Sequence, residues 1–199
     1  MKALVTALIL SAMLTLAGNA KESLKAESIH NTKEIKKIKV TGNLIVYLVQ
    51  SQQEQVTIDE GDANEISVKQ FGNTLTITAN EKTYGVVTVY FKDIFRVDAS
   101  NSSAVISRGT LQMDNLQILL HDQARARIKA ETKSLYTVTA DHSKLELKGI
   151  TREHISQTYG NSELKTRNFI ARTTRRLQES RMIAGKEGTA SAAAQGAVR

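Results

Sequence analysis

From Ile35 onward, apolar and polar residues alternate with a period of two. Ile38 and Val40 alternate with Lys37 and Lys39, and Leu44, Val46 and Leu48 form one face of the next run. Ile45, Tyr47 and Val49 make the other face of that run apolar too, which predicts a strand covered on both sides. Val56 and Ile58, Ile66 and Val68, Leu75 and Ile77, then Val87, Val89 and Phe91 continue the pattern. A period of two places successive side chains on opposite faces of a strand. The pairs Gly42-Asn43, Gly61-Asp62 and Gly72-Asn73 punctuate these runs and tolerate the positive φ of tight turns. No helical stripe runs through residues 35–110, so the pattern predicts an all-β domain.

The second half carries an internal repeat. The segments VDASNSSAVISRG (97–109), ILLHDQARARIKA (118–130), VTADHSKLELKG (138–149) and SQTYGNSELKTRN (156–168) align on Ser103, Ala124, Ser143 and Ser162, with a weaker match at Ser180. The spacings are 21, 19, 19 and 18 residues. Two residues after each anchor stand Val105, Ala126, Leu145, Leu164 and Met182, and four after stand Ser107, Ile128, Leu147, Thr166 and Ala184. Two before stand the turn formers Asn101, Asp122, Asp141 and Gly160. A unit of about 20 residues is too small to bury its own apolar side, so such units stack. The expectation is a β-helix or β-solenoid over 35–184, with coils of 18–21 residues and a less regular N-terminal part. The competing arrangement is a sandwich of antiparallel hairpins. The column Asn101, Asp122, Asp141 is expected at a corner, where short polar side chains bond nearby backbone.

Composition agrees. Proline is absent, and each proline would remove a ladder donor. Cysteine is absent too, which excludes disulfides, thiolate metal sites, cysteine nucleophiles and a cysteine-linked lipid anchor. Met1-Lys2, the apolar run Ala3 to Ala17 and the small residues Gly18-Asn19-Ala20 have the layout of a secretory signal peptide over 1–20. That run is shorter than the ~20 residues a membrane-spanning helix needs, and no later stretch is apolar enough to span. Residues 21–34 read as a linker and the Gly/Ala-rich 185–199 as a tail or cap. The mature chain is therefore expected in the periplasm, on the cell surface or outside the cell.

The net charge of +7 is concentrated late in the chain. Arg167, Arg172, Arg175, Arg176 and Arg181 form a candidate patch for an anionic ligand, against the plain alternative of a solvated face. No aromatic residues interleave these arginines, so nucleic acid is a poor partner.

The remaining chemistry is sparse. His30, His121, His142 and His154 share no column and are expected at the surface, and no converging metal site or cofactor is predicted. Stacked carboxylates at Asp122 and Asp141 raise the question of calcium, but structural turns are the better reading. Asp141-His142-Ser143 holds the residue types of a hydrolase triad. Adjacent strand residues point to opposite faces and cannot line up as one. An enzyme acting on acidic polysaccharide would need carboxylates beside bases on one face, and Arg125, Arg127, Lys129, Lys144 and Lys148 are the candidate bases.

The order of elements resembles the GIN-domain family of autotransporter adhesin head domains. It begins with IKVTGNLIVYLVQ (38–50), continues through FGNTLTITA (71–79), and ends with units from VDASNSSAVISRGTLQ (97–112) to GNSELKTRN (160–168). That family's recurrent D-x-S-G-A-S theme survives as Asp98, Ser100, Ser103 and Ala104, with Asn101 where glycine is usual. The resemblance implies a right-handed β-helix, a surface or adhesive role and no catalytic residues. The expected function is non-enzymatic binding of a glycan, an envelope protein or a second copy. A polysaccharide-active enzyme and a purely structural periplasmic module are the alternatives.

Overall fold

The computed structural model describes residues 27–29, 32 and 34–177. The signal-peptide segment, the tail 185–199, His30, Ser180, Arg181, Met182 and Ala184 lie outside the described residues. The described chain is all-β, and none of its segments is a helix long and apolar enough to cross a membrane. Thirteen strands form one mixed sheet. They are β1 (Glu27–Ile29), β2 (Lys37–Thr41), β3 (Leu44–Gln50), β4 (Gln55–Glu60), β5 (Ser67–Phe71), β6 (Thr74–Thr78) and β7 (Gly85–Phe91). After these come β8 (Arg96–Ser100), β9 (Ala104–Ser107), β10 (Leu111–Leu120), β11 (Arg125–Thr139), β12 (Lys144–Thr158) and β13 (Glu163–Leu177).

From β8 onward every pairing is parallel. Parallel neighbours cannot be joined by a tight hairpin. Each segment of about 19 residues lies beside its predecessor in parallel register. The apolar column is one continuous row: Val87, Val46, Val105, Ala126, Leu145 and Leu164 pair in sequence across the sheet. The first five are buried and Leu164 packs against them. A second inward row runs Leu75, Ile38, Val97, Ile118, Thr137, Ser156, Arg176. Its first six members are buried. The interior therefore turns from aliphatic to polar toward β13.

The N-terminal half is stacked out of chain order. β2 lies between β6 and β8, and β3 between β7 and β9. The first rung is thus an inner rung, and the second, β6–β7, is laid on its far side. Antiparallel pairing is confined to that end, as β4 on β7, β1 on β4 and β5 on β6. β1 falls inside the segment expected to be a linker, where it supplies a partner to the edge that β4 would otherwise leave open. The apolar second face of β3 is only half covered: Ile45, Tyr47 and Val49 are partly exposed, and the Arg108 guanidinium lies 3.8 Å from the Tyr47 ring centroid.

The corner between β8 and β9 recurs between β10 and β11, β11 and β12, and β12 and β13. Asn101, Asp122, Asp141 and Gly160 occupy it with φ of 59, 56, 60 and 61°. The Asn101 N–H donates to the Asp122 carboxylate at 2.9 Å, and the Asp122 N–H donates to the Asp141 carboxylate at 3.0 Å. Neighbouring carboxylates are held by backbone donors one rung away. The anchor residues Ser103, Ala124 and Ser143 are fully buried beside this corner. The Ser103 hydroxyl donates to Ser100 O at 2.7 Å, which closes the turn from inside.

Candidate functional site

Two places gather chemistry-bearing side chains. The first is the outer surface of the three consecutive rungs that begin β11, β12 and β13. Ala126, Ile128, Leu145 and Leu147 point inward, so their neighbours point out. The register stacks Arg125 on Lys144 and Glu163, Arg127 on Glu146 and Lys165, and Lys129 on Lys148. A β-bulge on β13 opposite Glu146 to Lys148 turns Arg167 to the rim of a hollow it shares with Glu146 and Lys165. Seven basic side chains thus share this face with two acidic ones. A shallow depression of about 270 Å³ opens among Arg125, Arg127, Lys144 and Lys165, with Ala104 and Ile106 beside them.

The two acids are fully engaged. Glu146 accepts from Lys148 at 3.1 Å and from Arg127 Nε at 3.1 Å. Those hydrogen bonds, with Lys148 foremost, hold its carboxyl below the usual range, so it remains a carboxylate at neutral pH. Glu163 lies 3.2 Å from Lys165 and 3.8 Å from Lys144. Arg125, Lys129 and Arg167 form no ion pair among the described residues.

The second place is the β13 end of the interior, where a cavity of about 360 Å³ is bounded by His154, Ser156, Leu164, Phe169, Thr174 and Arg176. His154 was expected at the surface, yet it is 2% exposed. The reason is its row, Leu116–Leu135–His154–Thr174, in which it replaces a leucine. Its Nε2 lies 3.0 Å from the Thr137 hydroxyl, and its ring meets Phe169 edge-on at 5.3 Å. Burial, and secondarily the Arg176 charge, holds its pKa below the ordinary histidine value.

The unfolded chain therefore takes up a proton at His154 before the folded one does. Its share of stability is intact above the ordinary pKa and declines as pH falls through it. Melting temperatures measured between about pH 7 and about pH 5 should drop for the wild type and drop less for His154→Leu. Parallel curves would show that another group sets the acid response.

Of the arginines singled out by charge density, the four among the described residues are spread along β13. Arg167 joins the outer basic face. Arg175 pairs with Glu153 at 2.8 Å on another side. Arg172 is exposed at a break in the ladder that also holds Asp114, Lys133 and Arg152. Arg176 ends an inward row. Of the other histidines, His121 is partly exposed and His142 exposed, at successive corners. Asp141, His142 and Ser143 form no triad: Asp141 and His142 face solvent while Ser143 is buried and donates to Leu120 O at 3.3 Å. Among the described residues, no three His, Asp or Glu side chains gather as a metal site.

Solved structures share this architecture. A "putative adhesin" from Bacteroides fragilis matches with a TM-score of 0.65 at 17% identity, over 78% of this chain and 77% of that one. A "putative adhesin" from Parabacteroides merdae matches at 0.60 and 15%, over 79% and 78%. A "putative lipid binding protein" from Parabacteroides distasonis matches at 0.60 and 14%, over 77% and 78%. At these identities the likeness carries the fold alone. No curated protein matches the chain in sequence. Residues 34–197 match the family described as "putative auto-transporter adhesin, head GIN domain", and the chain belongs to that family.

Proposed function

We propose that this is an exported, adhesin-like binding protein of the cell envelope. Its parallel rungs wind as a right-handed β-helix, and its working surface is the outer face built by Arg125 to Lys129, Lys144 to Lys148 and Glu163 to Arg167. One observation carries this reading. A parallel sheet face holds six bases and two acids in register, with Arg167 added at the bulge, and both acids are already occupied by neighbouring bases. Such a face supplies directional donors and positive charge. The family's description and the adhesin names of its structural relatives support the role.

One observation favours a second reading, an enzyme that cleaves acidic polysaccharide. The depression brings Glu146 beside Arg125, Arg127, Lys144 and Lys165. Against it, Glu146 is held ionised and doubly bonded, which makes it a poor general acid. A glycan array run with the mature chain, beside an assay for unsaturated or reducing-sugar product, separates the two. Binding without product is the expected result. Turnover of any bound polysaccharide would replace the adhesin-like reading with the enzymatic one.

A further inference from the structure

We infer that the ligand of the basic face is an acidic polysaccharide chain bridging two separate cation pairs, Arg125/Lys144 and Lys129/Lys148; this rests on the binding role proposed above. The central column alternates in sign, Arg127–Glu146–Lys165, as a self-sufficient sheet surface does. The columns on either side do not. Arg125 is directly opposite Lys144, and Lys129 directly opposite Lys148. Like charges directly opposite destabilise a sheet pair, and neighbouring strands stand only ~4.8 Å apart. Arg125 and Lys129 have no acid of their own among the described residues, while Lys144 and Lys148 each share one. A carboxylate or sulfate placed between the members of each pair removes the repulsion.

The two pairs are four residues apart along their strands, which is roughly 13 Å at ~3.3 Å per residue. No single sugar acid reaches across that distance, so the ligand is a chain with recurring charges. The face also discriminates among polyanions. The three rungs that carry the bases present no aromatic ring on which a nucleic-acid base can stack, and Tyr47, two strands away in the row Arg127–Ile106–Tyr47, is covered by the Arg108 guanidinium at 3.8 Å. The large exposed apolar side chains Ile150 and Ile170 belong to a different part of the rung, so nothing on this face inserts into a lipid bilayer.

The test uses the mature chain and immobilised polygalacturonate or dextran sulfate, with free galacturonate, neutral dextran and phosphatidylglycerol vesicles as comparisons. The wild type should be retained by both polyanions, and free galacturonate at equal uronate concentration should not displace it. Arg125→Gln with Lys129→Gln should weaken retention at least about tenfold, whereas Lys39→Gln with Lys69→Gln, equal in charge but away from the face, should weaken it less than about threefold. The face variant should also melt no lower than the wild type, because it removes the opposed charges. Equal losses in both variants, competition by monomeric galacturonate, or equal binding to the vesicles would overturn the inference. So would absence of polyanion binding. In that case a neutral glycan or protein still bound through this face would leave the adhesin-like role standing, whereas no binding of any kind would remove both.

Discussion

Leu145→Asp should abolish cooperative thermal unfolding of the repeat region. Leu145 is 1% exposed, with Ala126 before it and Leu164 after it in the same inward row. An aspartate there has neither water nor a cation. It must either carry an unpaired charge inside or bind a proton at a cost of several kcal/mol, and it also loses the leucine's packing. Domains of this size are stable by only ~5–15 kcal/mol. Leu145→Ala serves as the companion, with a loss of about 2–4 kcal/mol that leaves a folded protein with a lower melting temperature. Circular dichroism melts distinguish the three proteins. A normal transition for the aspartate variant would mean the side chain does not face the core.

Gly149→Ala should lower the melting temperature much more than Gly109→Ala. Both glycines have positive φ, 102° and 94°, so both alanines bear backbone strain of about 1–3 kcal/mol. Their surroundings differ. A Cβ at position 149 would stand 2.2 Å from the carbonyl oxygen of Ala130 on the adjacent rung, whereas at 109 nothing lies within 4 Å. The contact is with backbone, so it is relieved only by separating the rungs. The difference between the two variants isolates that steric component, and equal melting temperatures would show that the rungs separate freely.

The repeat was legible in the sequence because each of its columns answers to one physical demand. The anchor must be small, the residue two later must be apolar, and the residue two earlier must tolerate positive φ. Ser143, Leu145 and Asp141 meet those demands together, and spacings near 19 bring each set beside the next. Val46 obeys the same demand yet gave no register. Its partners Val87 and Val105 stand 41 and 59 positions later, with β4 and the β5–β6 hairpin between and the rungs stacked out of order. Alternation alone carries no information about such distant pairing. The short β1 is invisible for a related reason, since three residues hold no period. His154 was hidden because the interior turns polar at its last rungs, so the usual equation of polar with outward fails there.

The outer basic face was half legible. Arg125, Arg127, Lys129, Lys144 and Lys148 stand out as bases in the sequence, but whether an acid stands beside each depends on pairing. Glu146 is a same-strand neighbour of Lys148 at two residues' distance, and it is a cross-strand neighbour of Arg127 only once the 19-residue register is known. The bulge that turns Arg167 toward the same face adds a residue to β13 alone, and a column alignment cannot locate it.

The insertion of the first rung between two later ones has a kinetic corollary. Residues 37–50 cannot complete their hydrogen bonding until 85–107 have emerged, so their contacts have high sequence separation and the loop entropy of closing them comes first. The β10–β13 region needs only its own neighbour some 19 residues away. The β10–β13 region is therefore better suited to nucleate than β2 and β3, whose partners lie much farther along the chain.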